Sequence, residues 1–148
     1  MNDDKIGDIR RIESLQAKFT RRLCQKLNLS YDSYFHRLQI LNLETLEIRR
    51  VKLDLILTYK IHHSLVDLNF NEFFTKSKSM QLYNLRRHAL HLDKPCIPKT
   101  TVRQNFFYYR VVNTWNQLPK SIVESKTLAT FKRKLNSLNL QNIYETKL

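Results

Sequence analysis

The sequence predicts a mainly α chain, one helical domain of about five or six helices interrupted by a short β-hairpin or extended insertion. Two observations carry that expectation. Apolar residues recur at three- and four-residue steps through most of the chain, the period of one helix face. The 148 residues are 42% hydrophobic and include eight Phe, seven Tyr and one Trp, enough to fill a core and unlike a disordered chain.

The first periodic segment runs from about Asp3 to Leu27, where Ile12, Leu15, Phe19, Leu23 and Leu27 form one stripe and are expected to face inward. Arg10, Arg11, Lys18, Arg21 and Arg22 are distributed around the rest. Asn28-Leu29-Ser30 breaks the pattern, and Ser30 offers a cap for a short helix from Tyr31 to Leu38. Asn42 offers a cap for the longest candidate, Leu43 to about Leu65, with Glu44 and Glu47 near its positive end. Between Val51 and Ile61 the apolar residues of this helix point nearly all round, as in a central helix.

Asn69 to Phe74 reads as one aromatic turn. From Lys76 to Thr101 the chain turns basic, contains Pro95 and Pro98, and has no sustained helical stripe. Leu90 and Leu92 flank His91 in a fragment of strand-like alternation, which places the hairpin or extended pair around Leu82 to Thr101. Thr101 to Leu118, closed by Pro119, has strand-forming residues but the breaker-free length of a helix. At 100° per residue, Phe107, Val111, Trp115 and Leu118 form its apolar arc, and Arg103, Phe106, Arg110, Asn113 and Gln117 its remaining face. A last helix follows a Ser125 or Thr127 cap, with Leu128, Phe131, Leu135 and Leu138 inward and Lys132, Arg133 and Lys134 outward. Residues 139–148 read as a frayed tail.

Charge narrows the function. Twenty-six Lys and Arg face 13 Asp and Glu. Residues 76–148 hold 14 of the bases and only 3 of the acids, so 11 of the 13 surplus charges fall there. Such a surplus suits a polyanion, because each neutralised phosphate releases condensed counterions. A generally basic surface without a dedicated partner is the main alternative, and an anionic membrane surface the lesser one. No stretch approaches ~18 uninterrupted apolar residues, so no membrane partner is expected. Cys24 and Cys96 are the only cysteines and the first residues are polar and acidic rather than a secretory leader, which fits an intracellular setting, nucleus or cytoplasm, with free thiols.

Catalysis and metals find little support. His88, His91 and Cys96 lie within nine residues, yet zinc sites usually show two closely spaced ligand pairs. Polymerases and nucleases need convergent carboxylates to hold divalent metal, and the basic half has only Asp93, Glu124 and Glu145. No catalytic residue, metal or cofactor is therefore expected. For binding, Arg103 and Arg110 lie seven apart with Phe106 between them, two forks and an aromatic face suited to a sugar–phosphate backbone and a stacked base. The same arginines could instead pair with carboxylates while Phe106 joins the core. Lys132-Arg133-Lys134 could contact phosphates or form an ordinary solvated face, and Arg86 and Arg87 stand in the second basic group.

The segment Arg103-Gln104-Asn105-Phe106-Phe107-Tyr108-Tyr109-Arg110-Val111-Val112-Asn113-Thr114-Trp115-Asn116-Gln117-Leu118-Pro119, followed by Phe131-Lys132-Arg133-Lys134-Leu135, resembles the C-terminal region of reverse transcriptases from non-LTR (LINE-type, jockey and CR1-like) retrotransposons. Upstream, Ile12, Glu13, Gln16, Phe19, Thr20 and Arg21 resemble the same family. So do Tyr34, Arg37 and Leu38, then Leu43, Leu46, Arg49 and Arg50, then Asp54, Leu55, Tyr59, Lys60 and Ile61. Arg86, Arg87 and His88 match a further step, without the family's usual glycine. The resemblance spans roughly Ile9 to Leu138. It implies a non-catalytic C-terminal module of an RNA-directed DNA polymerase, with RNA or DNA and the element's own polymerase domain as partners. The polymerase aspartate motifs and the endonuclease are not in this sequence, so the resemblance implies a truncated copy, a separate exon or a fragment. A structural role, docking on the polymerase body, is the second expectation, and a decayed copy without selected function the third.

Overall fold

The computed structural model describes residues 3–75, 90–93, 106–138 and 140, with the side chains of 3–6 excepted. Among these residues it is mainly helical: α1 (Asp3–Lys26), α2 (Tyr34–Ile40), α3 (Leu46–His62), α4 (Phe70–Phe73), α5 (Phe107–Gln117), α6 (Lys120–Val123) and α7 (Leu128–Ser137). Contacts divide the chain into two compact units, Met1–Arg50 and Val51–Leu148. The expected hairpin lies outside the described residues except for 90–93, and so does most of the tail.

In the first unit, α1 does not bury its apolar stripe. Ile12, Leu15 and Phe19 are 52%, 65% and 63% exposed, whereas Thr20 and Cys24 are fully buried. The inward face is polar. The Tyr34 hydroxyl donates to one Glu13 carboxylate oxygen, and the Leu46 amide donates to the other at 3.0 Å. The Gln16 amide donates to the Tyr34 hydroxyl at 3.2 Å and to the Glu44 carbonyl at 2.8 Å. Burial, and then the Glu13 hydrogen bond, push the Tyr34 hydroxyl up to a pKa of about 12. Below this cluster the buried Arg37 reaches Thr20 Oγ1 at 3.4 Å and lies over the Tyr31 and Tyr34 rings, 4.7 and 5.5 Å from their centroids. One carboxylate thus ties α1 to α2 and to the amide end of α3, where negative charge is favourable. Periodicity marked the most apolar face of α1, but it carries no information about which face can complete a hydrogen-bond network.

The boundaries around α2 shift for a related reason. Ser33, not Ser30, caps α2, accepting the His36 amide at 3.1 Å. Thr45 and Glu13 cap α3, with Thr45 Oγ1 accepting the Ile48 amide at 3.3 Å. Asn42, expected to start α3, instead finishes α2. It has φ of 51° and donates to the Gln39 carbonyl, while Leu43 donates back to Leu38. Asn28 after α1 and Ser64 after α3 do the same, each followed by a leucine whose amide closes the turn onto Cys24 and Lys60 respectively. These are Schellman endings, made without glycine. An asparagine between helices suits either end, because it can cap the next helix or adopt the left-handed conformation that ends the previous one.

The second unit is built around Trp115, Tyr59 and Phe131, each 1% exposed or less. The Tyr59 and Phe131 rings stack at 4.4 Å, and Trp115 lies 6.1 Å from Phe131. Leu55, Ile61, Leu92, Val112, Val123 and Leu135 complete the centre. Phe74, after the aromatic turn α4, meets Phe107 and Tyr108 edge-on. On α3, Val51, Leu55, Tyr59 and Ile61 are buried as expected, but Leu53 is exposed and Lys52 is buried, its ammonium 3.2 Å from Asn136 Oδ1. Helix α5 presents its predicted polar edge outward, with Phe106, Arg110, Asn113 and Gln117 all exposed. Thr127 caps α7 by accepting the Thr130 amide at 3.2 Å, while Ser125 is buried in the core.

Replacing Glu13→Ala leaves a tyrosine hydroxyl and a helix-terminal amide without their acceptor, so stability should fall by about 1–3 kcal/mol in chemical denaturation. Leu15→Ser, on the exposed stripe, should change it by less than about 0.5 kcal/mol in dilute solution. The reverse order of effects would show that α1 packs by its apolar face.

Candidate nucleic-acid interface

The residues with the best claim to a functional role divide into those held by other protein groups and those turned to solvent. Arg110 belongs to the first set. Its Nε and Nη2 donate to the two Asp54 carboxylate oxygens at 2.5 and 2.8 Å, a two-pronged pair between α5 and α3. Phe106, one turn earlier on the same face, is 55% exposed at the start of α5. Lys132 and Arg133 are exposed on α7, whereas Lys134 is half-buried and donates to the Ser121 carbonyl at 2.5 Å. Arg86, Arg87 and Arg103 lie outside the described residues.

The structure adds a cation group that the linear sequence does not display. The Tyr59 hydroxyl donates to the Ser125 carbonyl at 2.7 Å across 66 positions of sequence. That bond sets the end of α3 against the start of α7 and leaves a cleft of about 580 Å³ lined by Tyr59, Lys60, His63, Leu65, Lys126, Thr127 and Leu128. Two lysines therefore line it, and the amide end of α7 adds partial positive charge. The His63 ring lies 4.1 Å from that of Tyr59, tilted by 31°, and burial lowers its pKa from the usual histidine value. No local motif could reveal this group, since Lys60 and Lys126 are far apart in sequence and line one cleft only where Tyr59 bonds to Ser125.

In the Trp-Asn-Gln-Leu-Pro segment, Trp115, Asn116 and Leu118 have internal roles, while Gln117 and Pro119 are exposed. Trp115 Nε1 donates to the Leu90 carbonyl at 2.8 Å. The Asn116 amide accepts the Leu92 N–H at 2.9 Å and donates to the Leu92 carbonyl at 2.8 Å, as a neighbouring strand would. The Asp93 amide donates to the Thr75 carbonyl at 2.9 Å. Leu118 is buried at the end of α5, and the Pro119 carbonyl accepts from Ile122 to start α6. Residues 90–93 are thus pinned between two basic stretches of sequence.

Among the described residues no cluster of three or more His, Cys, Asp or Glu could hold a metal ion, and no helix is long and apolar enough to cross a membrane. No family model matches the chain, and no curated protein or solved structure matches it.

The lowered His63 pKa fixes a pH dependence. An unfolded histidine titrates near ~6.5, so below that value the unfolded chain binds the proton more readily than the folded one. The contribution of His63 is complete above the unfolded pKa and is lost as pH falls through the folded value. Thermal melts should show a fall in Tm from pH 7.5 to pH 5.5 that is shallower in His63→Gln. An identical slope in the two proteins would remove His63 from the account.

Proposed function

We propose that this chain is a non-catalytic basic module that holds RNA or DNA through phosphate contacts, as the C-terminal region of a non-LTR retrotransposon RNA-directed DNA polymerase would. The observation that supports it most is the imbalance of charge in the second half, 14 bases against 3 acids, combined with where the described acids sit. Asp54 is engaged by Arg110, and Glu124 lies 3.9 Å from Lys120. Lys126, Lys132 and Arg133 remain exposed on or beside α7, and Lys60 and Lys126 both line the cleft. In this reading these cations, with Arg86, Arg87 and Arg103, contact the backbone, Phe106 stacks on a base, and Arg110 holds the α3–α5 junction in register. Phosphate contacts of this kind give affinity without sequence choice.

The test is binding to single-stranded RNA and to duplex DNA at two salt concentrations. If only the four described cations Lys60, Lys126, Lys132 and Arg133 each engage a phosphate, the loss of affinity is on the order of 50- to 150-fold between ~50 and ~200 mM salt, and more with Arg86, Arg87 and Arg103 engaged. The paired charge reversals Lys60→Glu with Lys126→Glu, and Lys132→Glu with Arg133→Glu, should each reduce the salt slope by about 2. Weak binding that ignores salt, or slopes unchanged by both pairs, would contradict the proposal and favour docking on a polymerase body.

A further inference from the structure

The exposed side of α1 follows a heptad. Asp8, Ile12, Leu15, Phe19, Arg22 and Lys26 are spaced alternately by four and three residues, and all six are exposed. That spacing lays them along one seam of the helix, the arrangement by which two helices pack knobs into holes. The seam is graded in charge: an acid at its start, three large apolar side chains in the middle, two bases at its end. The opposite face is already engaged through Glu13, Gln16 and Thr20, so the helix cannot turn to bury the seam without breaking that network.

We propose that the seam is an interface for a second copy of this chain, with two α1 helices packed antiparallel. Running the seam against itself in opposite directions sets Leu15 against Phe19 of the second copy and the reverse. Ile12 then faces the aliphatic stem of Arg22, and Asp8 faces Lys26, at both ends. Every position meets a complementary one. A parallel pair would place Asp8 on Asp8 and Lys26 on Lys26, and so is disfavoured. The charge grading therefore specifies both the partner and its direction, as flanking charges do in coiled coils generally. The interface is that of one helix pair, smaller than a standard interface of about 1,600 Å², so association in the micromolar range is expected.

The experiment is analytical ultracentrifugation of the full chain, without nucleic acid, from about 1 to 200 μM. The wild type should show a concentration-dependent dimer. Leu15→Glu with Phe19→Glu should be monomeric throughout, with an unchanged far-UV circular dichroism spectrum because both positions are exposed. Asp8→Lys and Lys26→Glu alone should each weaken the dimer by about tenfold, since each change puts like charges together twice. The double variant carrying both should return close to the wild type, because the pairs are restored with reversed sign. A wild type monomeric at every concentration overturns the proposal. So does a dimer insensitive to Leu15→Glu with Phe19→Glu, or one in which the charge swap fails to rescue. Recruitment of a monomeric wild type to anionic vesicles, abolished by Phe19→Glu, would overturn it in favour of a membrane surface. RNA binding is measured separately, so either result leaves the phosphate-contact proposal to its own test.

Discussion

The second unit depends on a single polar arrangement inside an apolar centre: Trp115 and Asn116, side by side on α5, hold the backbone of residues 90–93. A buried indole brings a large apolar area, but its N–H must find an acceptor, and the Leu90 carbonyl supplies it at 2.8 Å. Asn116 then satisfies both backbone groups of Leu92, so this residue is buried with its donor and acceptor paired. Leu92 can consequently sit fully buried beside Trp115. Tyr59 makes the equivalent connection on the other side of Phe131, through the Ser125 carbonyl.

Much of this was legible in the sequence. The helical content and the apolar arc of α5 follow from spacing, and on α5 the apolar residues Val111, Trp115 and Leu118 are the ones that pack. The α1 orientation was not legible. Its apolar stripe and its packed face are different faces, and only the pairing of Glu13 with Tyr34 and the Leu46 amide decides between them. Helix boundaries failed for a similarly local reason, since Asn42 has the chemistry of a cap for either neighbour. The cleft was invisible because Lys60 and Lys126 are separated by most of the second unit's sequence.

The residues behind the family resemblance carry a common physical theme. Glu13, Gln16, Thr20, Tyr34 and Arg37 form the polar cluster of the first unit. Asp54, Tyr59, Arg110, Trp115 and Asn116 form the cross-links of the second. These ten are the motif residues whose polar groups are satisfied inside the protein, whereas Lys132 and Arg133 of the same pattern are exposed. Exposed cations such as Lys132 and Arg133 need only be present and unneutralised to attract phosphate, a much weaker demand on sequence. On the proposed function, the binding surface leaves its mark in charge balance and the scaffold beneath it carries the ordered polar residues.

Amide hydrogen exchange at Leu92 probes that scaffold most directly. The Asn116 bridge predicts that the Leu92 N–H is strongly protected in the native chain, and that Asn116→Ala releases it while the amides of α3 around Tyr59 stay protected. A Leu92 amide that exchanges at the rate of an open chain in the native protein would contradict the structure proposed for the second unit at its centre.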